Sequence, residues 1–114
     1  MPSVLHVIDV AHPPRDADVV EKELLEGWSH VRNYSGLRIL KIIHGYGSTG
    51  KGGVTREYVR NWAFKNRKRF LSIVPGENYD LFNPLVQELR KEVGEYADID
   101  LGMSNSGIIL IWIK

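Results

Sequence analysis

A chain of 114 residues, 43% apolar and 25% charged, has the size and make-up of one globular domain rather than a disordered or fibrous segment. It has no cysteine, which excludes disulfides, iron–sulfur clusters and thiolate zinc sites and fits a cytoplasmic protein. No signal peptide opens the chain, the longest apolar run (Ile108 to Ile113) is too short to span a membrane, and a net charge of +1 says nothing by itself about partners.

"VLHVIDV", residues 4–10, reads as a first strand, and the prolines of "AHPPR" forbid helix directly after it. A helix is predicted over 17–34, with Asp16 or Asp18 as N-cap and Glu21 as capping-box partner of Asp18. Its buried stripe is Val20, Leu24, Trp28 and Val31, and Gly36 is its natural stop. The apolar, β-branched run 37–43 is a second strand. Beyond a glycine-rich loop, Thr55, Tyr58, Val59 and Trp62 have helical spacing and predict a helix over 54–66. "FLSIVPG", 70–76, is a third strand ended by Pro75-Gly76. A third helix is expected over 83–96, with Leu81, Phe82, Leu85, Leu89 and Val93 packed inward. The unbroken apolar run 108–113 suits a strand covered on both faces. The order is β-α-β-α-β-α-β, an α/β chain whose first two crossovers are long enough for parallel pairing.

The loop after the second strand, "HGYGSTGKGG", contains Gly45-x-x-x-x-Gly50-Lys51, the first part of a nucleotide-binding P-loop. The magnesium-coordinating Ser or Thr that should follow the lysine is Gly52, and the dinucleotide fingerprint is matched only loosely by Gly45, Gly47 and Gly50. Nucleotide binding is therefore set aside. A glycine-rich strand-to-helix turn still offers backbone N–H groups and a helix N-terminus to an anion, with Lys51 and Arg56 alongside. The bland alternative is a flexible connection. Residues 51–69 hold seven basic side chains and one acid, whereas the rest of the chain is net acidic, so one face is expected to meet an anionic partner.

"LKIIHGYGSTGKGGVTREYV" resembles the signature of the Smr (small MutS-related) family, in which an apolar strand is followed by His-Gly-x-Gly and an Arg opening the next helix. His44, Gly45, Gly47 and the later Gly50 carry the likeness, with Arg56-x-x-Val59. Ile8-Asp9-Val10-Ala11-His12 stands where the family has Leu-Asp-Leu-His-Gly or Leu-Asp-Leu-Arg-Gly, so Ala11 occupies the basic position and His12 the glycine. The loop is longer than usual, and the helix of 83–96 is an addition. The resemblance implies a single Smr-like domain over 1–114, a two-layer α/β sandwich with a four-stranded mixed sheet. It also implies DNA or RNA binding with endonuclease activity, a phosphodiester hydrolysis for which a divalent ion, Mg or Mn, is a cofactor option without a ligand set.

If the first two strands are parallel neighbours, Asp9 and His44 emerge at the same edge. His44 is then the expected general acid or base and Asp9 the group that orients it, positions water or helps hold a cation. Lys51, Arg56 and Arg60 are the expected phosphate ligands. Each has a duller reading: Asp9 as a turn cap, His44 bonded to its own loop, His12 as a turn residue or a substitute for the missing basic group. His6 and His30 are read as structural or surface residues, and Trp28, Trp62 and Trp112 as core. Two other functions remain open, a non-catalytic nucleic-acid-binding module and a protein-interaction domain built on the 83–96 helix.

Overall fold

The computed structural model describes residues 4–46 and 51–114, and of residues 51–53 the backbone alone. In chain order the elements are β1 (Leu5–Asp9), α1 (Ala17–Asn33), β2 (Ile39–Ile43), α2 (Lys51–Lys65), β3 (Phe70–Pro75), α3 (Pro84–Val93) and β4 (Ile108–Ile113). Short 3₁₀ turns, Arg67–Arg69 and Gly76–Asn78, flank β3. The four strands form one mixed sheet in the order β1-β2-β4-β3. β1 and β2 are parallel, with Leu5 opposite Ile39 and Asp9 opposite Ile43, while β4 runs antiparallel to both β2 and β3. Among the described residues no helix is long and apolar enough to cross a membrane.

Alternation along the strands divides the core. Leu40, Ile42, Ile109, Ile111 and Ile113 face α1 and α2, meeting Val20, Leu24, Val31, Val59, Trp62 and Ala63. Ile39, Ile108, Leu110 and Trp112 face the other way, toward α3 and Tyr79. This is an α/β sandwich in which α3 adds a smaller cover on the second sheet face. All six β4 side chains are buried, as the lack of alternation required.

Local chemistry moved several boundaries. α2 begins at Lys51, so Gly52 and Gly53 are helical, where a start near Val54 was expected. At the head of α1, Asp16 holds the N-cap position but its side chain makes no capping bond. Asp18 already lies inside the first turn, so no capping box with Glu21 forms; the Glu21 carboxylate instead accepts from the Tyr58 hydroxyl at 2.6 Å and ties α1 to α2. α3 is capped by Asn83, whose side-chain oxygen accepts from Leu85 N–H, and it stops at Gly94 with φ +86° rather than at Tyr96. Leu89 and, in part, Val93 face inward as expected, while Val86 takes the place expected of Leu85; Leu81, Phe82 and Leu85, expected inward, face outward.

Gly76 is fixed by a close backbone approach. A Cβ there would fall 1.8 Å from the Asn105 carbonyl oxygen and 2.7 Å from that of Ile108. Gly76→Ala therefore forces two backbone segments apart, and we expect a loss of about 1–3 kcal/mol in urea unfolding. A midpoint unchanged from wild type would show that the two segments yield freely.

Candidate nucleic-acid site

Parallel pairing brings the ends of β1 and β2 to one edge of the sheet, with Asp9 opposite Ile43 and His44 one residue beyond. Open α/β sheets place ligands at this carboxyl edge. Gly45 turns there with φ +84°, a backbone setting that favours glycine, and a side chain built on it would lie 3.6 Å from the Ala11 Cβ. The exit from β1 therefore touches the start of the glycine-rich segment. Gly47, Gly50 and the Lys51 side chain, named as phosphate ligands from the sequence, lie outside the described residues.

The edge carries two polar clusters, and neither joins Asp9 to His44. In the first, Asp9 Oδ1 accepts from the backbone N–H groups of Ala11 (2.9 Å) and His12 (3.0 Å). The His12 ring nitrogen Nδ1 stands 3.0 Å from Oδ2 and 3.1 Å from Oδ1. Partial burial pushes the Asp9 carboxyl up, but the Ala11 and His12 hydrogen bonds outweigh it and hold the group below its ordinary value. Asp9 thus caps its own turn and also aligns an imidazole that is 69% exposed. Because a carboxylate can only accept, His12 carries its proton on Nδ1 and leaves the Nε2 lone pair for an outside partner.

The second cluster lies on the α2 side. His44 is fully buried. Its Nδ1 donates to the Gly45 carbonyl at 2.8 Å, and its Nε2 accepts from Arg60 Nε at 3.3 Å, which fixes the neutral tautomer. Arg60 also makes two bonds to Glu77, at 2.9 and 2.6 Å, and reaches the Ser106 and Ile108 carbonyls at 3.4 Å. Arg56 is held more loosely, 3.4 Å from Glu77 and 3.5 Å from the Ser106 carbonyl.

Burial depresses the His44 pKa to about 4; the Gly45 carbonyl raises it, the Arg60 and Arg56 charges lower it, and Glu77 pulls it back up. The Arg60 hydrogen bonds drive the Glu77 carboxyl down to about 2 against its partial desolvation. These contacts correct three expectations. His44 has both ring nitrogens engaged and is not an accessible acid or base. Arg60, expected as a phosphate ligand, is committed to Glu77 and to the Ser106 and Ile108 carbonyls and so ties α2 to the β4 entrance. The carboxylate beside this histidine is Glu77, not Asp9. The amides of His44 and Gly45 are likewise taken, both donating to the Gly107 carbonyl at 3.0 and 3.1 Å.

A neutral buried histidine makes stability depend on pH. The unfolded chain protonates His44 below about pH 6.5 while the folded chain resists to about pH 4. Its contribution is full above 6.5 and is lost as pH falls through that window, roughly 3 kcal/mol in all. Glu77 adds in the same direction, its share being lost as pH falls from 4.5 toward about 2. Urea unfolding at pH 7 and pH 4 should show the loss, and His44→Gln should shrink it. Equal slopes in both proteins would place His44 in solvent.

The sequence reading did not anticipate Glu77, nor the ionic cluster on the opposite sheet face. There Lys41 Nζ bonds Asp98 at 2.7 Å and Asp100 at 2.6 Å, with all three side chains largely buried. Burial lowers the Lys41 pKa, but hydrogen bonds to Asp100 and Asp98 more than restore it and leave it raised. A lysine inside "ILKII" was the available signal. Among the described residues no group of three or more His, Asp or Glu could hold a metal ion, so the Mg or Mn of the resemblance has no ligand set in this part of the chain. Compared with protein families, curated proteins and solved structures, the chain matches none.

Proposed function

We propose that this chain is an Smr-like nucleic-acid-binding domain that hydrolyses phosphodiesters in DNA or RNA. The observation that carries the reading is the exposed His12 aligned by Asp9, one residue beyond the Ala11 that approaches Gly45, at the sheet edge where α2 begins. The resemblance of His44-Gly45-x-Gly47 and of the Asp9 segment to the family signatures supports it from the sequence. In this reading a phosphodiester lies against the N-terminal end of α2, with Lys51 and Arg56 balancing its charge. His12 Nε2 takes a proton from the attacking water as its oxygen bonds phosphorus and the P–O bond to the leaving oxygen breaks. Asp9 keeps the ring in the productive tautomer and stabilises the imidazolium that forms.

The test is incubation of the purified protein with nicked, branched and single-stranded substrates, with and without magnesium or manganese, beside a binding titration over a salt series. Phosphate contacts predict a log affinity that falls with log salt by roughly 0.9 per contact on duplex DNA. Arg56→Gln should flatten the slope by about one contact. Salt-independent binding, or none, would sink the reading.

A second reading rests on α3. Phe82 is 88% exposed, with Leu81 and Leu85 also outward at the start of that helix, which favours a protein-interaction role for this face. Retained partner binding after Phe82→Ser and Leu85→Ser would count against it.

A further inference from the structure

The basic run 51–69 does not form one face. α2 starts at the edge that holds Asp9 and His44 and delivers the chain to the opposite edge, where β3 begins. Arg56 and Arg60 stay at the first edge, where Glu77 offsets their charge. Lys65, Arg67, Lys68 and Arg69 arrive at the second, joined by Arg32 from the last turn of α1 and Lys114 after β4. Among the described residues none of these six has a carboxylate at ion-pair distance. The uncompensated cations therefore sit at the end of the molecule away from His12 and His44.

A cleft of about 300 Å³ opens among them, lined by Trp28, Arg32, Arg69 and Lys114, none of them acidic. The Arg32 guanidinium stands 4.9 Å and that of Arg69 5.3 Å from the Trp28 ring centre. Contact with the indole orders both forks without neutralising either. Trp28 Nε1 is buried and has no acceptor, an arrangement that normally costs free energy. An anionic oxygen in this cleft would meet two oriented guanidinium groups and the Lys114 ammonium, which also donates to the Lys68 carbonyl at 2.8 Å.

We propose, resting on the nucleic-acid reading above, that this cleft is a second phosphate-contact site. One nucleic acid is then held at both ends of α2, whose 15 residues span about 22 Å, roughly two-thirds of a duplex turn. The two edges divide the work: one presents His12 to the backbone, and the other anchors the same molecule against sliding.

The experiment compares wild type, Arg32→Gln/Arg69→Gln and Arg56→Gln with one duplex and one single-stranded oligonucleotide over a salt series. Circular dichroism confirms that each variant is folded. The double variant should lose tenfold or more in affinity and reduce the salt slope by roughly two. Binding should also quench tryptophan emission in wild type and not in Trp28→Phe. A double variant with wild-type slope and affinity, beside an impaired Arg56→Gln, overturns this second site and leaves the first standing. If wild type itself binds neither oligonucleotide, both fall.

Discussion

His12→Ala should lower the rate of phosphodiester cleavage by roughly 10²–10⁴-fold while leaving affinity for the same substrate within about twofold, since positioned proton transfer typically contributes that factor. The split follows from geometry. His12 is exposed, touches only Asp9 and its own turn, and bears on no core residue, so its loss costs neither fold nor phosphate contacts. Asp9→Asn is the companion variant. One side-chain oxygen can still accept from the Ala11 and His12 amides, but an amide group then faces His12 Nδ1 and favours the wrong tautomer. It should cost at least about tenfold in rate, with little change in unfolding midpoint. His44→Gln makes the contrast, because it removes a buried group and should act through stability. Single-turnover cleavage at saturating protein separates these effects. Cleavage by His12→Ala at the wild-type rate would remove the histidine from the chemistry.

Lys41→Met should be the most destabilising of the single substitutions considered, at about 3–5 kcal/mol, because it leaves the Asp98 and Asp100 carboxylates facing each other without a counter-charge. Asp98 is the more exposed to this loss: its side chain is 4% accessible and its second oxygen has no hydrogen-bond partner even in the intact protein. Set against a total of about 5–15 kcal/mol for a domain of this size, the loss takes a large share of the stability. Lys41→Met combined with Asp98→Asn and Asp100→Asn should recover much of the loss, since the cost comes from isolated charge rather than missing contacts. Chemical denaturation of the single and triple variants checks this. A triple variant no more stable than the single one would assign the loss to side-chain packing instead.

The frame of the molecule was legible because apolar periodicity carries it. All four strands, all three helices and their order follow from runs such as 37–43 and 108–113, and the unbroken apolar run of β4 announced a strand covered on both faces, though not its inner place in the sheet. The site was legible only in part. The sequence brought Asp9, His44, Gly45 and Arg56 to one edge, but strand alternation turns Asp9 toward the face of Ile43 and His44 toward α2. Local spacing carries no information on contacts made across the chain. Arg60 reaches Glu77 seventeen residues later and the Ile108 carbonyl forty-eight later, and Lys41 meets Asp98 fifty-seven later. His12 gained its interest through the Asp9 carboxylate, a three-residue contact that the two prolines beside it had made look like ordinary turn chemistry.

The position of β4 bears on how the protein comes to be made. This strand follows every other described element yet lies between β2 and β3, supplying both with ladder partners. A nascent chain that has left the ribosome only as far as Asn105 carries β1 paired to β2, with the inner margin of β2 and all of β3 unzipped. Such margins are the surfaces on which strands of separate molecules adhere. Closure waits on β4, so both margins of the unfinished sheet stay open until "IILIWI" slides into the gap.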